Sequence, residues 1–159
     1  MKIFFIIIIL ILSVILQTTL IPFLDVWGVT PNLVLVFSLF LVVWRRFEKT
    51  WWIILLAGLL TDLLIGLPLG LASISLITVA YAIDSFNRST FSRIRFWIMN
   101  SLIILGTLIY SLLIFGLSKV FQIDLIFSFK YLLIEIIYNL LISSIFYVGI
   151  KKIFRQTQS

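Results

Sequence analysis

Histidine and cysteine are both missing from the 159 residues. Their absence removes imidazole acid–base chemistry, thiolate nucleophiles, disulfides, and the usual ligands of zinc, haem and iron–sulfur centres. Charge is scarce too, with 11% Asp, Glu, Lys and Arg against about 25% in an ordinary soluble domain. A soluble globule of this size has too much surface to cover with so few charges. The six carboxylates are scattered, none beside another at ligand spacing, so no metal or other cofactor is expected. No G-x-S-x-G, H-E-x-x-H, P-loop or G-x-G-x-x-G motif is present, and no enzyme is expected. Apolar residues, by contrast, are abundant: 63% against about 45–50%, with a mean hydropathy of +1.28. Disorder is excluded, because disordered chains are apolar-poor and charge-rich.

The chain therefore reads as an all-α integral membrane protein, a single transmembrane domain over residues 1–159. Turn residues and charges divide it into six apolar runs, about 3–21, 31–44, 51–66, 70–86, 96–118 and 131–150. At 1.5 Å per residue the fifth and sixth reach ~33 Å, enough to cross a bilayer core. The second to fourth reach only ~21–26 Å and need snorkelling flanks or a thinned bilayer. Ten of the twelve basic residues fall on one side of this six-span arrangement: Lys2, Arg45, Arg46, Lys49, Arg88, Arg93, Arg95, Lys151, Lys152 and Arg155. The other side holds Lys119 and Lys130. The positive-inside rule then puts both termini in the cytoplasm. It also accounts for the net charge of +6 without nucleic acid, since no basic stripe alternates with exposed aromatics. The first run is longer than a signal-peptide core, and Gln17-Thr18-Thr19-Leu20 is no cleavage site, so it is read as a retained helix. Thr30 and Pro31 read as the N-cap and first helical residue of the second helix.

Acids inside the runs need an account, because a carboxylate at mid-bilayer costs ~2.5–3.5 kcal/mol on insertion scales. Asp62 shares a helix face with Gly58 and Gly66, at spacings of four. One reading makes it a cap for the broken backbone of Gly66-Leu67-Pro68-Leu69-Gly70, whose free N–H groups need an acceptor. The other makes it a binding or coupling site. Asp84 and Arg88 form an i, i+4 pair. Asp62 and Asp84 sit toward opposite faces of the bilayer, which rules out a paired-aspartate protease. In the sixth helix Tyr131, Glu135, Asn139, Ser143 and Tyr147 follow at intervals of four. The fifth offers a partner stripe of Asn100, Thr107, Ser111 and Ser118. Such stripes either glue two helices together through hydrogen bonds or line a cavity for a substrate. Lys130 and Lys119 are the expected ionic partners of Glu135.

The order of features resembles the rod shape-determining protein MreD family over nearly the whole length. The specific part is Leu16-Gln17, then Gly28 and Pro31-Asn32-Leu33, then Ala57-Gly58-Leu59-Leu60-Thr61-Asp62 and Gly66-Leu67-Pro68-Leu69-Gly70. Asn32 stands where the family typically has Asp, keeping the hydrogen-bonding shape and losing the charge. The resemblance implies a non-enzymatic, multi-pass subunit of the bacterial inner membrane, working in cell-wall elongation. The implied partners are an MreC-type single-span protein and, indirectly, a RodA-type glycosyltransferase and a penicillin-binding transpeptidase. The implied fold is similar to the substrate-binding component of energy-coupling-factor transporters, which makes a small-molecule transporter component the alternative function. Against that alternative, Phe4 to Leu12 is almost pure isoleucine and leucine, where the vitamin binders typically carry docking alanines. Gln17, Pro31, Asn32, Gly58, Asp62, Gly66, Pro68 and Gly70 are the candidate interaction or structural residues. Tyr131, Glu135, Asn139 and Ser143 form the candidate polar stripe.

Overall fold

The residues Leu33 to Val43 are buried without exception, and a helix that is apolar all round must be surrounded by others. The structure, a computed structural model, describes residues 3–19, 23, 25, 27–90, 96–123 and 128–156. They form helices α1 (Ile3–Thr19), α2 (Leu33–Arg45), α3 (Phe47–Ile65), α4 (Leu71–Thr90), α5 (Phe96–Val120) and α6 (Phe129–Gln156). Helix α2 touches all the others. Around it α1 packs on α3, α3 on α4, α4 on α5 and α5 on α6, leaving the ring open between α6 and α1 among the described residues. The core forms where Leu35, Leu39 and Phe40 of α2 meet Ile54, Ile83, Met99 and Ile103 of the ring.

The six expected segments match the helices in order, but their ends differ. Asn32, not Thr30, is the N-cap of α2, its Oδ1 accepting the Leu35 N–H at 2.9 Å. Pro31 lies before the helix because the Gln17 amide donates to its carbonyl at 2.9 Å. Helix α3 starts at Phe47 rather than Trp51, because Arg46 alone (φ 72°) turns the chain between α2 and α3. Arg45 and Lys49 are thus helical rather than in a loop. Helix α4 runs to Thr90, and α5 and α6 extend past their expected ends to Val120 and Gln156. The end of the first run (Leu20, Ile21), the charges Lys2, Arg93, Arg95 and Asp124, and residues 157–159 lie outside the described residues.

The pattern of exposure inverts that of a soluble protein. Asp62, Ser75, Thr107, Asn139 and Ser143 are completely buried, while Leu133, Ile137, Leu141, Ile145 and Val148 of α6 are exposed. Those five follow each other at intervals of three and four, one outward stripe opposite the polar one. In water such a stripe is an unusual apolar patch, whereas in hydrocarbon it is the favourable face. Helices α5 and α6 are long and apolar enough to cross a membrane.

Candidate functional site

The turn between α3 and α4 is organised by one carboxylate. Helix α3 ends at Gly66 in the left-handed conformation (φ 76°), and the Leu67 N–H returns to the Asp62 carbonyl at 2.9 Å. A left-handed glycine followed by such a backward bond is a common helix stop. Pro68 brings no N–H to satisfy, and its carbonyl accepts from Leu71 at 3.2 Å. The Asp62 side chain, fully buried, then accepts from the backbone of Gly70 (3.0 Å), Ala72 (2.8 Å) and Ser73 (3.4 Å), and from the Ser73 hydroxyl (2.9 Å). Asp62 thus caps α4 from the preceding helix, placing negative charge where the helix dipole favours it. Gly58, one turn earlier, lets this happen, since a Cβ there would fall on the Ser73 backbone. Small residues at a crossing allow such close approach.

A second polar cluster joins four helices. From α1, Gln17 donates to the Pro31 carbonyl and accepts the Leu33 N–H at 2.7 Å. The Asn32 N–H donates to Asn139 Oδ1 of α6 at 2.8 Å, and Asn139 Nδ2 donates to Thr107 Oγ1 of α5 at 3.1 Å. The Asn32 side chain also hydrogen-bonds Tyr110 of α5. Gln17, Pro31, Asn32 and Asn139, spread over the sequence, are therefore one site around the start of α2. Along α5 and α6 the two stripes pair rung by rung. Ser143 donates to Asn100 (2.9 Å), Asn139 to Thr107, and Ser111 to Glu135 Oε2 (2.8 Å).

The expected ionic partners of Glu135 are engaged elsewhere. Lys130 stands over the Trp27 ring, 4.2 Å from its centroid, and Lys119 over Phe115 at 5.5 Å. A cation over an aromatic face is itself a favourable contact, and Ser111 fills one side of the carboxylate instead. Glu135 and Tyr131 line an open cleft of about 570 Å³, together with Ile65, Tyr110, Ser111, Phe115 and the loop before α2.

At the opposite end, where α2 hands over to α3, Arg88 pairs with Asp84 one turn earlier and also with Glu48 of α3 at 2.8 Å. The hydrogen bond from Arg88 holds Glu48 below the usual carboxylate range. The Asp84–Arg88 pair follows from its spacing. The Glu48 link does not, because forty residues separate the partners and no local periodicity marks them. Tyr110 and the unpartnered Ser38 hydroxyl in the middle of α2 were also missed, each being one polar atom in an apolar run.

No group of acids among the described residues could hold a metal, and the buried Asp62, Asn139 and Ser143 bond backbone or side-chain groups of neighbouring helices. These features define a helical membrane protein whose polar residues tie its helices together. The chain belongs to the rod shape-determining protein MreD family, whose profile matches residues 1–157. Membership carries a role in rod shape determination, as a structural membrane protein rather than a known enzyme. No curated protein and no solved structure matches the chain.

Proposed function

We propose that the protein is a non-enzymatic subunit of the bacterial cell-elongation complex, spanning the inner membrane six times with both termini in the cytoplasm. It docks the membrane span of an MreC-type protein and, through it, positions a RodA-type glycosyltransferase and a penicillin-binding transpeptidase. The observation that carries this reading is the family match over residues 1–157. Two features support it: polar groups bonded between helices, and apolar outward faces of the kind that pack on lipid or another span. The family membership is the basis for proposing a fold like that of the vitamin-binding transporter components. The transporter function itself gains no support, since the family is a shape-determining one and α1 presents Ile8, Ile11, Leu12 and Ile15 outward.

The test is affinity purification of the tagged protein from its own host in mild detergent, with mass spectrometry of its companions. Recovery of an MreC-type protein with a RodA-type or penicillin-binding protein is expected. Recovery of an ATPase pair with a second multi-span subunit would overturn the proposal.

A further inference from the structure

We propose that the cleft between α5, α6 and the loop before α2 binds a primary ammonium group carried by a phosphate-bearing amphiphile, with phosphatidylethanolamine as the probe. The cleft, about 570 Å³, lies within the range of small-molecule sites, which are mostly apolar with a few convergent polar groups. Ile65, Ile114, Phe115 and Leu132 supply the apolar wall, and Glu135 is its acid. Glu135 Oε2 accepts from Ser111 at 2.8 Å, while Oε1 has no hydrogen-bond partner among the described residues. No basic side chain pairs with it there: both ion pairs among those residues belong to Arg88. A carboxyl group has more acceptor sites than the one Ser111 fills, so Glu135 has room for a further donor, and a cationic one favours its charged form.

The charges around the mouth narrow the ligand further. Lys119 stands over Phe115, a wall residue, and Lys130 precedes the wall residue Tyr131 while stacking on Trp27, which precedes Gly28 of the wall. An acid therefore lines the cleft, one cation stands against its wall residue Phe115, and a second stands over Trp27, the chain neighbour of wall residue Gly28. Glu135 is five residues from Lys130, about 7.5 Å along the axis of α6 and about 140° around it, so a bridging ligand rather than direct contact joins the two. The ammonium then meets Glu135 and the phosphate meets the lysines. A quaternary ammonium fits this arrangement poorly, since it has charge but no N–H to donate. The inference stands on the cleft alone, whatever the outcome for the elongation complex.

The full-length protein is placed in nanodiscs that hold phosphatidylethanolamine, its mono- and dimethyl derivatives and phosphatidylcholine in equal amounts, and the retained lipids are read by native mass spectrometry. Wild type is expected to prefer phosphatidylethanolamine over phosphatidylcholine by about tenfold, the worth of one charge-assisted hydrogen bond, with retention falling as each N–H is lost. Glu135→Gln, which keeps an acceptor for Ser111, should lose the preference. Equal retention of the four lipids by wild type, a result that needs no variant to fold, would overturn the proposal, as would an unchanged preference in Glu135→Gln. In lipid-free detergent, binding of soluble phosphoethanolamine to wild type but not to Glu135→Gln assigns the site to the headgroup alone. Binding of the lipid but not the soluble compound assigns it to the membrane lipid, and binding of neither sinks the idea.

Discussion

Two buried polar side chains in this protein have opposite consequences. Asp62 accepts four hydrogen bonds, three of them from backbone N–H groups, of which those of Ala72 and Ser73 are buried. Leucine has the same branching with bulkier methyl ends and removes the acceptor, at about 1–3 kcal/mol for each buried donor. Asp62→Leu should therefore lose more than about 3 kcal/mol in reversible unfolding in mixed detergent, and Asp62→Asn, with one acceptor oxygen left, about 1–3 kcal/mol. If Asp62→Leu unfolds like wild type, the capping role is wrong. Ser38 is the converse case, its hydroxyl buried within α2 without a partner. Ser38→Ala removes an unpaired polar atom and should leave stability unchanged or raise it by up to about 1 kcal/mol. The cap was legible in the sequence because its donors lie eight to eleven residues on, behind glycines and a proline that mark a broken backbone. The N-cap of α2 was misplaced because Thr30-Pro31 matches a common helix start, whereas Asn32 caps Leu35 with its own side chain and is held there by the distant Gln17 and Asn139.

Among the elements, α5 and α6 are joined through polar inner faces, while the other helices pack on α2 through an apolar core. The α5–α6 stripes were readable because four-residue spacing puts polar side chains on one face, and a polar face in an apolar helix turns inward. Which residue meets which was not readable, since the register of two helices is set by packing between them. The rungs differ in value. Asn100 and Ser143 bond each other across the pair, and a double-mutant cycle with Ala at both should give a coupling of about 0.6 kcal/mol, as for other interhelical hydrogen bonds in membranes. Asn139 links Thr107 of α5 and the Asn32 N–H at the start of α2. Asn139→Leu strands that N–H and should cost about 1–3 kcal/mol. A loss no larger than that of Ser143→Ala would mean that Asn139 is one rung among equals rather than the tie to the central helix. The α2–α3 junction shows the limit of reading elements from sequence. Arg46 takes a positive φ that favours glycine, and no glycine stands there to announce the turn.

For the molecule as a whole, the decisive property is the asymmetry of its two ends. Arg45, Arg46, Lys49 and Arg88 gather where α2 passes to α3 and α4 ends, while Lys119 and Lys130 sit where α5 passes to α6. Basic residues near span ends are retained on the cytoplasmic side, so the first group should face the cytoplasm and the second the outside. The chain has no native cysteine, which allows single cysteines to report on each end without background. Lys49 and Gln122 are both exposed, one at each end. In intact cells, a membrane-impermeant maleimide should label Gln122→Cys at once and Lys49→Cys only after the membrane is permeabilised. Reversed labelling would put the termini outside. Labelling of both positions from one side would mean an even number of crossings between Lys49 and Gln122, where the six-span arrangement requires three. Because both substitutions lie outside the buried network, either failure would count against the topology rather than against the folding of the variant.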